Sequence, residues 1–261
     1  MNSHSGKKLY GESFFNSQVG GSYRSAVLYA QHLLKIFKPQ SVADLGCGRG
    51  TWLKAFGENG VEKLVGLDGD WNSQEKMVDQ TVTFSPVDLN KPFPKPTERF
   101  DLAISVEVAE HLKEESSKTF VDNITALSDV VMFGAAYTKQ GGTDHINEQP
   151  HTYWAKMFIE IGYTPYDVFR STFWGNQDIN FWYQQNTFLY VKNTSKINQT
   201  LNKTGYQPIS NIEFMNCVHP HLYSQWVSTA LNPGSPGKLF LKAVIPKALL
   251  PFARKLKRQL F

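Results

Sequence analysis

Cysteine is scarce in this 261-residue chain, with only Cys47 and Cys217, far apart in sequence. Two such thiols make no disulfide framework, and the chain is read as belonging to a reducing compartment. No run of 18 apolar, uncharged residues occurs, so no transmembrane helix is expected. The N-terminus is polar and has no apolar h-region, so no secretory signal is expected. Acids stop at Glu213. Beyond it stand seven Lys or Arg and no acid, while the first 213 residues carry 20 basic and 23 acidic groups, a net of −3. The overall charge of +4 therefore belongs to the tail. This argues against a broad nucleic-acid-binding face on the body. Internal repeats are also lacking.

Apolar residues at 41% and aromatics at 13% supply a large core, enough for one α/β domain with an extension. Helix-type patterns cover 22–37, 51–56, 107–127 and 153–161. Strand-type runs cover 41–45, 63–68, 81–86, 101–106, 129–136, 166–170 and 187–192. Such alternation predicts an α/β fold: a seven-stranded, mostly parallel, Rossmann-like sheet with helices on both faces. The expected organisation is an N-terminal segment 1–21, a core domain 22–193 and a loosely structured C-terminal extension 194–261.

The most informative stretch is Val42-Ala-Asp-Leu-Gly-Cys-Gly-Arg-Gly-Thr51. A strand-like run ends at an acid, and Gly46, Gly48 and Gly50 follow at alternate positions before a helix. A strand turning sharply through glycines into a helix brings bare backbone close to a ligand. The spacing is D-x-G-x-G-x-G, not the G-x-G-x-x-G of a dinucleotide site. Asp68 ends the second strand, Asp88-Leu89 follows the third and Val106 ends the fourth.

Taken together, these elements resemble the class I S-adenosylmethionine (SAM) methyltransferases over residues ~20–193. The resemblance implies that Asp44, Gly46, Cys47, Gly48 and Gly50 make room for the amino-acid end of SAM. It implies that Asp68, next to Gly69, takes the ribose hydroxyls, and that Asp88 and Leu89 meet the adenine. Val106 borders the methionine portion. The phrases Ser105–Leu112, Gly141–Gln149, Tyr153-Trp154 and Phe181–Asn186 resemble bacterial O-methyltransferases of surface-polysaccharide and small-molecule pathways.

Glu107, Glu110 and His111 stand at i, i+3 and i+4, one face of a helical turn if that segment is helical. Two carboxylates and an imidazole outline a cation site. The E-x-x-E-H spacing resembles the metal site of small-RNA 2′-O-methyltransferases, in which a later His completes the set; His145 is the match here. The implied ion is Mg²⁺ or Mn²⁺, activating an acceptor hydroxyl. His145 or His111 then ligates or accepts the proton; without metal, His145 or His151 serves as a general base. The alternative is that Glu107 and His111 have only local roles at a helix start.

For the acceptor, Asn147, Glu148, Gln149, Tyr153 and Trp154 are the candidate contacts to a saccharide or other polar small molecule. Trp174, Trp182, Tyr183 and Asn186 form a second group. The basic, apolar stretch 238–261 is read in three ways: a peripheral contact with an anionic membrane surface, packing on the core, or an RNA-contacting arm. The reading is a cytoplasmic SAM-dependent O-methyltransferase, with peripheral association at the inner membrane surface as a property the tail would confer. RNA 2′-O-methylation and a non-catalytic SAM-binding partner are the alternatives.

Overall fold

The computed structural model describes residues 12–94 and 96–231, with side chains from residue 21 onward. Residues 218–231 belong to a second unit, whose described residues form one helix, Pro220–Leu231. The basic stretch 238–261, with its three readings, lies outside the described residues. Among the described residues no helix is long and apolar enough to cross a membrane.

The first unit is built on a seven-stranded sheet. Its strands are β1 (Ser41–Leu45), β2 (Lys63–Asp68), β3 (Thr83–Pro86), β4 (Leu102–Val106), β5 (Val130–Gly134), β6 (Tyr163–Tyr166) and β7 (Phe188–Lys192). The spatial order is β3-β2-β1-β4-β5-β7-β6. The first five strands are parallel, and β7 runs antiparallel between β5 and β6. This is the expected Rossmann-like α/β arrangement. The central strands are buried along almost their whole length because helices cover both faces.

Alternate side chains of each strand enter opposite cores, as the two-residue strand period requires. Val42 packs on one face with α1 (Glu12–Ile36) and α2 (Thr51–Glu58). Ala43 packs on the other with α3 (Ser117–Leu127) and α4 (His151–Glu160). In α2, Trp52, Leu53, Ala55 and Phe56 form one apolar stripe, and Trp52 meets Tyr29 of α1 edge-on at 5.6 Å.

Three expectations are corrected. The helix read over 107–127 begins only at Ser117; Ala109–His111 and Glu114–Ser116 are single 3₁₀ turns. The strand read at 166–170 lies at 163–166. It contains Pro165, which an edge strand tolerates and an interior one does not. The segment 194–217, read as part of a loose extension, is packed into the first unit. It forms a helix at Ile197–Lys203 and a 3₁₀ turn at Ile212–Met215, and it buries Leu201 and Met215 completely.

Candidate functional site

The carboxyl ends of β1, β2, β3 and β4 open into a cleft, the usual ligand position in such sheets. Gly46, Gly48 and Gly50 all adopt left-handed backbone, with φ of 89°, 51° and 77°. At Gly46 a Cβ would lie 2.4 Å from Val108 Cγ1, so only glycine fits. The turn is fastened by backbone bonds: the amides of Gly46 and Cys47 both donate to Leu67 O, at 2.7 and 3.2 Å. The side-chain Nδ2 of Asn72 also donates to Gly48 O.

Asp68 organises the same turn. Its Oδ2 accepts from the Gly48 amide and its Oδ1 from the Gly69 amide, both at 2.7 Å. Burial raises its pKa, and the two backbone N–H groups oppose that rise. The sequence reading gave Asp68 to a ribose alone. Both oxygens instead hold backbone, with lone pairs still available toward the cleft they line.

Gly46, Cys47, Gly48, Asp68, Leu89 and Val106 line a cavity of about 340 Å³, together with Glu107 and His111. Gly69 and Asp88 line an adjoining cavity of about 470 Å³, which shares Asp68, Trp71, Leu89 and Leu112 with the first. Two expected contacts stand back from the walls. Asp44 is buried at 4% exposure, and burial beside Asp68 raises its pKa well above normal. Gly50 packs near Met77. Both support the turn from outside the cavity. Sequence reasoning missed Trp71, 40% exposed in both walls with its indole against Gly69. It also missed Ser22 and Arg49. An exposed Trp two residues beyond a strand-end glycine was the available signal for Trp71.

Across the cleft, Glu107 follows β4 with φ 57°, strained for a residue with a Cβ. Its amide donates to Gly134 O at 2.9 Å. Its Oε1 accepts from Asn186 Nδ2 at 2.8 Å and its Oε2 from Gln140 Nε2 at 2.9 Å. Burial raises its pKa against these bonds. Glu107, Glu110 and His111 therefore do not share an α-helical face. Glu107 is tied into a separate hydrogen-bonded group, while Glu110, His111 and His145 each bring one donor atom within 4.8 Å of the others. The imidazoles of His111 and His145 meet edge-on at 4.8 Å.

Glu110 is fully buried, and neither carboxylate oxygen has a well-formed hydrogen bond among the described residues, although the Ala136 amide and the Glu107 carboxyl are close. Burial and Glu107 raise its pKa far above the usual carboxylate range. Burial and His145 lower that of His111, which keeps its imidazole neutral. A buried carboxyl with neither oxygen in a well-formed hydrogen bond, beside two imidazoles, has the donor chemistry of a divalent-cation site. The residues present fit such an ion.

The loop read as an acceptor pocket is turned inward only in part: residues 141–144 and Ile146 are exposed. Asn147 is buried and donates to Ser117 Oγ at 3.0 Å, and Gln149 donates to Asn147 Oδ1 at 2.9 Å. Glu148 binds His145 Nδ1 at 2.9 Å. Trp154 is 1% exposed and packs on Phe133 at 5.3 Å. Tyr153 faces a different hollow, with Lys118 and Lys156. Except at Tyr153, core packing or the loop's own polar bonds claim the side chain. Of the second group, Tyr183 lines the cleft. His151, proposed as a base, is buried between Met215 O at 2.7 Å and Asn186 Oδ1 at 3.1 Å, and burial lowers its pKa to about 4. It is a strut and does not line the cavity.

A family model described as a methyltransferase domain matches residues 15–211. No curated protein matches the sequence. Among solved structures, the chain is similar to an O-methyltransferase family protein from Burkholderia thailandensis. The TM-score is 0.55 at 12% identity, covering 70% of this chain and 60% of that one. It is also similar to the methyltransferase domain of the bacterial protein CtHen1-C, with a TM-score of 0.51 at 16% identity, covering 66% of this chain and 98% of that one. The present chain thus spans about 60% of the length of the Burkholderia protein.

Proposed function

The chain belongs to the methyltransferase-domain family, and we propose that it transfers a methyl group from SAM to a hydroxyl of a sugar or other polar small molecule. One observation carries this reading: His111 lies both in the wall of the glycine-turn cavity and in the Glu110–His111–His145 cluster. A donor lodged against Gly46 and Gly48 would therefore present its reactive end to groups able to handle an oxygen nucleophile.

In this reading the bare backbone at Gly46 and Gly48 admits the methionine part of SAM. Asp68 offers its remaining lone pairs to the ribose, and the cavity with Gly69, Asp88 and Leu89 takes the adenine. The acceptor oxygen takes the methyl carbon as the C–S bond breaks, and the hydroxyl proton passes to solvent or to an imidazole. A divalent cation held by Glu110, His111 and His145 would act as a Lewis acid and lower the hydroxyl's pKa. Two imidazoles and one carboxylate suit Mn²⁺ better than Mg²⁺, which prefers an all-oxygen shell. With no cation, the neutral His111 imidazole would accept the proton.

Dialysis against EDTA followed by a methyl-transfer assay on candidate sugars is the test. Activity is expected to fall and to return with Mn²⁺; full activity in a metal-free preparation rejects the cation. The same cluster also supports RNA 2′-O-methylation, which the net negative body disfavours. Assaying RNA beside the sugars separates the two. SAM binding with no turnover on any acceptor would favour a non-catalytic partner.

A further inference from the structure

We propose that Glu148 is a positioning residue that holds His145 with its proton on Nδ1, so that the Nε2 lone pair serves the cluster with Glu110 and His111. Glu148 Oε1 lies 2.9 Å from His145 Nδ1, and the two side chains are only 17% and 12% exposed. That oxygen also accepts from the Gly141 amide at 2.7 Å, where the chain turns through a φ of 76°. It is fixed by the loop's backbone before the imidazole meets it.

Glu148 Oε1 already accepts from the Gly141 amide, and an oxygen acting as acceptor requires the nitrogen facing it to carry the hydrogen. The opposite tautomer would set a ring lone pair against a carboxylate oxygen. The ring is also seated sterically: a Cβ on Gly142 would come within 2.2 Å of His145 Nε2, so no larger residue can stand beneath it. The same stretch reaches the other imidazole, because His111 Nδ1 faces Asp144 O at 3.3 Å. Asp144 itself has a left-handed φ of 59°. Residues 141–148 thus address both histidines through Nδ1. This is the arrangement by which outer carboxylates and carbonyls orient imidazole ligands.

The consequence for metal affinity rests on the cation reading above; the tautomer does not. Two measurements keep them apart. In metal-free, ¹⁵N-histidine-labelled full-length protein, a long-range ¹H–¹⁵N spectrum reports which nitrogen is protonated, and His145→Ala identifies the signals. Protonation at Nδ1 is expected in the wild type, with loss of that preference in Glu148→Ala. Protonation at Nε2 in the wild type, or an unchanged tautomer in Glu148→Ala, overturns the proposal. If Glu148→Ala does not fold, Glu148→Leu takes its place; it removes the acceptor but keeps the bulk. Mn²⁺ titration followed by electron paramagnetic resonance is the second measurement. Affinity is expected to fall about 10- to 100-fold in Glu148→Gln. Wild-type protein that binds no Mn²⁺ rejects the cation reading and leaves the tautomer result to judge Glu148. A wild type that binds Mn²⁺ with no loss in Glu148→Gln overturns the positioning role, as does a lower melting temperature with tautomer and affinity unchanged.

Discussion

The two walls of the cleft are made by different means. The glycine-turn wall is mostly backbone: three left-handed glycines and four amides that donate to Leu67 O and to the Asp68 carboxylate. The opposite wall is mostly side chain, held by a chain of contacts from Glu107 through Asn186 and His151 to Met215 O. Backbone shape does not tolerate changes of volume and depends on protonation only through Asp68. A side-chain network tolerates small changes of volume at its edges but depends on protonation. The walls should therefore fail under different insults.

The largest effect is expected from Gly46→Ala. Left-handed backbone costs about 1–2 kcal/mol for a residue with a Cβ. Overlap with Val108 adds about 1–3 kcal/mol. Urea denaturation should show a loss of about 2–5 kcal/mol, and calorimetry should find no binding of the demethylated cofactor. Next comes acid. His151 has a folded pKa of about 4 against an unfolded value of about 6.5, so its neutral form contributes stability above pH 6.5. About 3 kcal/mol is lost as pH falls from 6.5 to 4. Methyl transfer should fail in that window before cofactor binding does, and simultaneous loss of both would deny that the walls are separate.

Gly142→Ala is expected to displace His145 and slow turnover by about 30-fold, equivalent to about 2 kcal/mol. Cofactor affinity should stay unchanged. The smallest effect belongs to Gly48→Ala. Nothing lies within 4 Å of a Cβ there, so only its φ of 51° opposes the change, at about 1 kcal/mol of stability. Equal losses at Gly46 and Gly48 would show that conformation alone, and not fit against Val108, makes the turn.

The glycine-turn wall was largely legible in the sequence. Ser41–Leu45 and Lys63–Asp68 fall where the apolar runs put them, because local pattern and tertiary role agree there. The opposite wall was legible in its residues but not in their geometry. Glu-Val-Ala-Glu-His-Leu reads as helix, yet tertiary bonds override it. Gln140 and Asn186 hold Glu107, and the amides of Ile146 and Asn147 donate to Glu110 O at 2.9 and 3.0 Å. Those partners come from 30 or more residues away, beyond any local pattern. The inward turn of Asn147, Glu148 and Trp154 was hidden for the same reason: a polar loop with aromatics looks the same whether it greets a ligand or itself.

The antiparallel seat of β7 between β5 and β6 has a consequence for synthesis. A chain emerging from the ribosome completes β1 to β5, and with them the glycine turn, before residue 135. The opposite wall must wait for Asn186, for β7 to close against β5, and for Met215 to arrive. Nascent chains stalled near residue 210, with Asn186 still in the exit tunnel, should thus hold a protected N-terminal half while residues 137–150 stay open to protease.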